Sequence, residues 1–261
     1  MYEYILLEKV NGIATITLNR PEFGNAFAIP EYNEVKDALE KCGADPEVRV
    51  VVITGAGRFF SAGGDVVKFR EHIESGEFLK AENVRMAGAM SRAVLECPKP
   101  VIASVNGAAA GAGCALALAC DFRVVTPKSK FGMAFINMGF CGDTGGIFFL
   151  NNMLGIAKTT ELMAMGNLVG GEEAYRLGMA TRLAEEGKLA EATAELAQTL
   201  ANKPTQAIAR QKKLYYEFFH RDIEEFNNRE ATYMYECGRT ADHKEAVYAF
   251  LEKRAPKFTG Q

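Results

Sequence analysis

The sequence has 261 residues, of which 48% are hydrophobic and 24% are charged, and its formal net charge is −3. This length predicts one large α/β domain, or one domain with a smaller appendage, whose core needs no disulfide or metal to hold it together. The slightly acidic pI of about 5.8 provides no general attraction for nucleic acid or for an anionic membrane. Any phosphate must therefore be bound at a local site.

The sequence shows no targeting or membrane signal and no metal motif. The N-terminus has early charges and no long apolar run, so it does not resemble a signal peptide. The weakly polar stretch 101–120 is interrupted by Ser104 and Asn106 and is too polar for a membrane span. The six cysteines lack metal-ligand spacing and are typical of small buried residues in a reducing compartment. We therefore expect a cytoplasmic protein with no metal.

The elements predicted in chain order begin with a β-hairpin. Residues 4–10 and 13–18 are rich in β-formers and flank Asn11-Gly12, the strongest short hairpin signal. A helix begins at Pro30, and the apolar run 48–54 is typical of a strand buried on both faces. A polar, glycine-broken loop follows through Asp65.

The remaining predicted elements alternate between strands and helices, and the C-terminal part is almost all helical. They are helix 77–97, strand 101–105, helix 113–119, strand 122–125, an irregular segment 131–142, and helices 146–153, 157–165, 172–177, 189–201, 205–219 and 223–254. This order predicts the α/β class with a helical tail.

Two segments combine a buried strand with a glycine-rich exit. Residues 53–65 form the first, and residues 101–114, which lead into a helix, form the second. Glycine allows backbone to approach a ligand closely, and a helix N-terminus presents unpaired N–H groups to negative charge. Two such loops facing one another could form an oxyanion hole for a thioester carbonyl. The alternative is that these glycines only make turns and permit close packing. Neither segment matches a dinucleotide, P-loop or serine-hydrolase motif.

Several motifs in this order match one known family. They are Leu18-Asn19-Arg20-Pro21, Phe60-Ser61-Ala62-Gly63-Gly64-Asp65, Pro100-Val101-Ile102-Ala103, Ala110-Gly111-Ala112-Gly113 and Cys120-Asp121. With these motifs the sequence resembles the crotonase (enoyl-CoA hydratase/isomerase) superfamily over essentially its whole length. The resemblance implies a spiral of β-β-α units over residues 1–200 and a C-terminal helical region, residues 201–261, that drives assembly into a homotrimer or a dimer of trimers.

The resemblance also implies an acyl-CoA substrate, with no cofactor beyond the coenzyme A of that substrate, and particular site residues. The two oxyanion donors fall on the backbone N–H groups of Gly64 and Ala112. The residues implied in substrate binding are Asn25, Ala26, Ala62, Gly63, Gly64, Asp65, Val66 and Ala112.

The sequence departs from the family's hydratases at the two glutamates that share a water molecule. These positions are Ala115 and Phe135, neither of which can transfer a proton. Asp143 is the only acidic or basic residue between Lys130 and Lys158, and its sequence neighbours are apolar. Desolvation would raise its pKa towards a range suited to proton transfer. The alternative is that Asp143 only caps the following helix.

The segment around Asp143 resembles the 1,2-epoxyphenylacetyl-CoA isomerases and related enoyl- and dienoyl-CoA isomerases, in which an aspartate at this position is the base. The sequence departs from that branch at Cys141-Gly142, where the branch usually has a proline before the aspartate. We therefore expect an isomerase that uses Asp143.

Other functions stay open. A hydratase or hydrolase that uses Asp143 with water is one, and a catalytically silent scaffold is another. An aryl-CoA dehalogenase is disfavoured because no histidine lies between His72 and His220, and an RNA-binding role is disfavoured by the acidic pI.

Overall fold

A computed structural model describes residues 2–77 and 79–261, and it confirms the predicted N-terminal hairpin. Strands β1 (Ile5–Val10) and β2 (Ile13–Leu18) pair antiparallel. Asn11 and Gly12 adopt positive φ angles of 50° and 78°. This left-handed pair matches the right-handed twist of the strands on either side of the turn.

The strands form two sheets. In the larger sheet the order is β1-β2-β3-β4-β6-β9, and every pair after the hairpin is parallel. The smaller sheet has the order β5-β7-β8. The remaining strands are β3 (Val50–Gly55), β4 (Val101–Ser104), β5 (Ala108–Ala110), β6 (Phe122–Val125), β7 (Lys130–Gly132), β8 (Leu168–Gly170) and β9 (Arg182–Leu183).

Ten α-helices surround these sheets in the part of the chain that the structure describes. They are α1 (Ile29–Ala44), α2 (Val66–Ser75), α3 (Ala81–Glu96), α4 (Ala112–Ala119), α5 (Gly146–Met165), α6 (Gly171–Arg176), α7 (Leu189–Ala201), α8 (Thr205–Phe219), α9 (Ile223–Cys237) and α10 (Ala241–Leu251). None of the helices in these two described ranges is both long and apolar enough to cross a bilayer.

The larger sheet is covered on both faces, which explains its apolar strands. Val51 and Ile53 of β3 face the main core with α1 and α3, whereas Val50 and Val52 face a second core under α7. All four side chains are buried. A strand between two helical layers has no solvent side, so its sequence is continuously apolar rather than alternating.

Several features differ from the sequence prediction. Helix α2 was not predicted; it begins after Asp65, whose side chain accepts hydrogen bonds from Val67 N and Lys68 N. The predicted irregular segment 131–142 contains the end of β7 and a 3₁₀-helix, Ala134–Met138. The predicted helix 77–97 is observed as α3, and its Phe78 lies outside the described residues.

The predicted single helix 223–254 is wrong, because the chain forms two helices there. Helix α9 ends at Cys237, and Thr240 caps α10 by accepting a hydrogen bond of 3.1 Å from His243 N. A threonine N-cap restarts a helix in a new direction, and apolar periodicity does not reveal that break. The division of the chain at residue 200 stays a prediction.

Candidate active site

The two glycine-rich loops lie side by side, as the sequence predicted. The N–H of Phe60 donates to the carbonyl of Ala108 (3.0 Å), and the N–H of Ala110 donates to the carbonyl of Ser61 (2.8 Å). A Cβ on Gly63 would stand 2.8 Å from the carbonyl oxygen of Ala110, and Gly63 has a φ of 90°. Only glycine combines that conformation with so close an approach. The loops therefore meet one residue before Gly64 and two residues before Ala112, the two expected oxyanion donors.

The N–H groups of Gly64 and Ala112 have no hydrogen-bond acceptor among residues 2–77 and 79–261. On either side of Gly64, the Gly63 carbonyl accepts from Phe27 N (2.7 Å) and Asp65 N donates to Phe27 O (3.0 Å). Ala112 is the first residue of α4, where an N–H has no partner within the helix. Two free donors on adjacent loops are what an oxyanion hole requires.

Asp65 and its neighbours hold the first loop in place. Asp65 Oδ1 accepts from Val67 N (3.0 Å), and its Oδ2 pairs with Arg20 (3.3 Å). Arg20 also pairs with Glu31 of α1. All three charged side chains are at most 16% exposed. The side chain of Asp65 therefore anchors the loop, and Val66, the first residue of α2, is half-buried beside it.

The other predicted binding residues divide into internal and accessible ones. The Asn25 side chain is buried, with its amide donating to Ala56 O (2.9 Å) and Phe59 O (2.8 Å), and Ala26 is buried beside it. Ala62 is exposed and its N–H donates to Gly24 O (2.8 Å). Asn25 thus shapes the loop from inside, and Ala62 is free to contact a ligand.

Asp143 lies in an apolar cavity and does not cap a helix. Helix α5 begins at Gly146, its N-cap residue is Gly145, and no side chain caps it. Asp143 is 8% exposed, and burial raises its pKa to about 6, while a hydrogen bond from the Thr144 hydroxyl (2.7 Å) partly opposes that rise. Desolvation disfavours the charged carboxylate, so the group can exchange a proton near neutral pH.

The cavity beside Asp143 has a volume of about 230 Å³ and lies between the N-terminus of α1 and helices α2, α3 and α9. Its walls are mainly apolar: Phe27, Phe69, Leu79, Val84, Ala87 and Met234. Phe69 also touches the first loop, because a Cβ on Gly64 would stand 2.5 Å from its Cζ. The cavity therefore adjoins one predicted oxyanion donor and contains the predicted base.

The two positions of the missing glutamates are filled by apolar side chains. Ala115 is fully buried, and a Cβ on Gly146 would stand 3.4 Å from its methyl group. A Cβ on Gly111 would stand 3.6 Å from the ring of Phe135. Helix α4 therefore packs against the start of α5, three residues after Asp143. Neither position offers a carboxylate that could hold water.

Two functional candidates were missed from the sequence. Tyr32 of α1 lines the cavity, and burial together with the charge of Asp143 raises its pKa well above its usual value. Glu230 of α9 is 5% exposed, and burial together with Asp143 raises its pKa to about 8. Both are far from Asp143 in sequence, and neither belongs to a motif that could have revealed it.

Comparisons with known proteins agree with this fold. The family model for enoyl-CoA hydratase/isomerase matches residues 8–261. A trans-2-decenoyl-[acyl-carrier-protein] isomerase of Streptococcus mutans is 33% identical over 100% of this chain and 99% of its own length. A 1,2-epoxyphenylacetyl-CoA isomerase of Escherichia coli is 35% identical over 100% of both chains.

A solved structure extends the likeness to the whole fold. The crystal structure of an enoyl-CoA hydratase from Mycobacterium avium subsp. paratuberculosis superposes with a TM-score of 0.90 at 26% identity, covering 99% of this chain and 100% of that one. The chain is a member of the enoyl-CoA hydratase/isomerase family, and the predicted crotonase fold is confirmed. Its similar proteins carry both isomerase and hydratase names.

Proposed function

We propose that this enzyme isomerises an unsaturated acyl-CoA, using Asp143 as the acid and base. The observation that carries the proposal is the buried Asp143 carboxylate in the cavity beside the oxyanion loops, with Ala115 and Phe135 in place of the hydratase glutamates. The other carboxylate that lines the cavity, Asp65, is held by Arg20 and by the N-terminus of α2. A hydratase needs groups that hold and activate water, whereas a double-bond shift needs one group that removes a proton and returns it. The two isomerases among the similar proteins support this choice.

In the proposed reaction, the thioester carbonyl accepts hydrogen bonds from Gly64 N–H and Ala112 N–H. The Asp143 carboxylate removes a proton from the α-carbon of a β,γ-unsaturated acyl group, and the electron pair moves onto the thioester oxygen as a dienolate. The two N–H groups stabilise that charge. Protonated Asp143 then returns its proton to the γ-carbon, which gives the α,β-unsaturated thioester. No metal or redox cofactor is required, because the thioester itself delocalises the charge.

The proposal includes the expected contacts with the carrier. Exposed Ala62 and half-buried Val66 would lie along the coenzyme A, while Asn25, Ala26, Gly63 and Asp65 would shape the loop that meets it. Cytoplasmic localisation and assembly into a homotrimer or a dimer of trimers stay predictions from the resemblance. Exposed Phe218 (68%) and Phe219 (71%) at the end of α8 support a subunit contact, because large exposed apolar groups mark interaction surfaces.

The test is incubation of the enzyme with a panel of β,γ- and α,β-unsaturated acyl-CoAs in deuterated water. We expect the double bond to shift and deuterium to enter the acyl chain. Asp143→Asn should lower the rate about 10²–10⁴-fold, as loss of a general base does. Asp222→Asn, which changes an exposed carboxylate, should leave the rate unchanged.

The competing functions give different products in the same assay. A hydroxyacyl-CoA would indicate a hydratase, and a free acid would indicate a hydrolase. A chain that leaves every thioester unchanged would be the silent scaffold. If Asp143→Asn incorporates deuterium into the acyl chain at the parent rate, Asp143 is not the base.

A further inference from the structure

The turn that carries Asp143 is anchored from a distant helix. The N–H of Gly145 donates a hydrogen bond of 2.9 Å to Oε2 of Glu230, which lies 85 residues further along the chain on α9. The Glu230 side chain is buried, and its other oxygen, Oε1, is also buried and has no partner among the residues that the structure describes. A carboxyl group is costly to bury in this way, so its position needs a reason.

The anchored turn has an unusual backbone conformation. Thr144 and Gly145 have positive φ angles of 60° and 79°, and Thr144 is not a residue that adopts this conformation readily. Strained backbone persists only when its surroundings hold it. Within the turn, Gly146 N donates to Asp143 O (3.0 Å). The bond to Glu230 is the long-range link that ties this turn to α9.

We propose that Glu230 is a positioning residue that holds the Thr144–Gly145 turn, and through it the Asp143 carboxylate, in place at the cavity. This inference rests on the proposed function, because it gives Glu230 a role in the reaction that Asp143 performs. Helix α9 also contributes Met234, one turn after Glu230, to the cavity wall. The helix therefore lines the acyl cavity and anchors the base with residues one turn apart.

The charge state of Glu230 also matters for the reaction. Burial, with a smaller contribution from Asp143, raises the pKa of Glu230 to about 8, so the group is uncharged at neutral pH. A second negative charge near the cavity would disfavour a developing enolate. We therefore expect the rate to fall as Glu230 ionises at alkaline pH.

Few other titratable groups surround Glu230. Asp143 and Cys141 lie on the loop it anchors, Cys237 at the end of α9 interacts with Cys141, and Tyr32 of α1 faces Asp143. On α3, which packs along α9, the charged groups bind elsewhere: Arg92 pairs with Glu224 (2.8 Å) and Arg85 donates to the Asn228 side chain (3.2 Å). None of these four groups on α3 and α9 forms a hydrogen bond or an ion pair with Glu230. The Glu230→Gln variant therefore distinguishes Glu230 from Cys141, Cys237 and Tyr32 as the source of the alkaline change.

The test compares Glu230→Gln, which keeps an uncharged acceptor for Gly145 N–H, with Glu230→Met, which fills similar volume without one. Glu230→Met should lower kcat about 10- to 100-fold with KM nearly unchanged, because a small displacement of the base costs that much. Glu230→Gln should retain the parent kcat at pH 7 and lose the alkaline decrease. Glu236→Met, at an exposed position of the same helix, should behave like the parent.

Several outcomes would overturn the inference. Full activity in Glu230→Met, or equal loss in Glu230→Gln, would show that the hydrogen bond does not position the base. If Glu230→Met does not fold, the pH profile of Glu230→Gln tests the inference alone. An alkaline decrease in its rate like that of the parent would then reject the role of Glu230. Asp143→Asn separates this failure from failure of the proposed function: an inactive Asp143→Asn beside an active Glu230→Met rejects only the role of Glu230.

Discussion

The hydroxyl of Thr144 donates a hydrogen bond of 2.7 Å to Oδ1 of Asp143. Within the described part of the chain, this is the only side-chain hydrogen bond to that carboxylate, and it favours the ionised form, whereas burial favours the neutral form. Burial is the larger effect and brings the pKa of Asp143 to about 6. The balance keeps the base mostly ionised at pH 7 and still able to hold a proton during the reaction.

Thr144→Val tests this balance through the pH dependence of the reaction. In the parent enzyme, kcat/KM should rise with pH and level off above about 6, because Asp143 must be ionised to accept a proton. The valine has the same shape but donates no hydrogen bond, so the ionised form loses its stabilisation. The acidic limb of the pH profile of kcat/KM should therefore move to higher pH by up to about one unit. An unchanged limb, or a move to lower pH, would assign that limb to another group.

Asp143→Asn should make the folded protein more stable at neutral pH. A carboxyl group whose pKa is raised from 3.8 to about 6 binds its proton more tightly in the folded state. The parent's free energy of unfolding therefore falls as pH rises from about 4 to 6, by up to about 3 kcal/mol. Chemical denaturation of the parent and of Asp143→Asn at pH 4 and pH 7.5 measures the difference between their free energies of unfolding. That difference should be near zero at pH 4. Equal stabilisation at both pH values would contradict this explanation.

Gly64→Ala should impair the reaction through crowding. The added Cβ would stand 2.5 Å from Cζ of Phe69, so either the ring or the loop that presents the Gly64 N–H must move. We expect kcat/KM to fall about 10- to 100-fold. Gly170→Ala, whose new methyl group meets nothing within 4 Å, is the matched control.

A second variant identifies the cause of that loss. If the aromatic ring is the obstacle, adding Phe69→Leu to Gly64→Ala should recover part of the activity, which a double-mutant cycle quantifies. Strictly additive losses would show that the ring is not what the methyl group displaces.

Arg20→Met should destabilise the loop that carries Gly64. Arg20 pairs with Asp65 and Glu31, and its removal leaves two carboxylates that are at most 7% exposed without a counter-charge. Breaking such a buried arrangement costs about 3–5 kcal/mol. Lys158→Met removes one member of an exposed pair with Glu161 and should cost less than about 1 kcal/mol. Equal losses of unfolding free energy in the two variants would contradict the importance of the buried network.

The sequence by itself determined those features that depend on neighbours along the chain. The turn at Asn11-Gly12, the buried run Val50-Val51-Val52-Ile53 and the glycine-rich exits each have a local pattern with a local physical cause, and each is present in the structure. The apolar neighbours of Asp143 likewise predicted its raised pKa, because sequence neighbours contribute to its burial.

Only the tertiary structure decided which distant groups meet. The sequence left open whether Asp143 caps a helix, and it gave no sign of Tyr32, Glu230 or the Arg20–Asp65 pair. Helix α2 and the break before Thr240 were also missed, since each depends on one capping side chain rather than on apolar periodicity. A hydrogen bond between residues 145 and 230 has no local pattern. It exists because α9 packs along α3 beside the cavity, and packing between distant segments is decided by the whole fold.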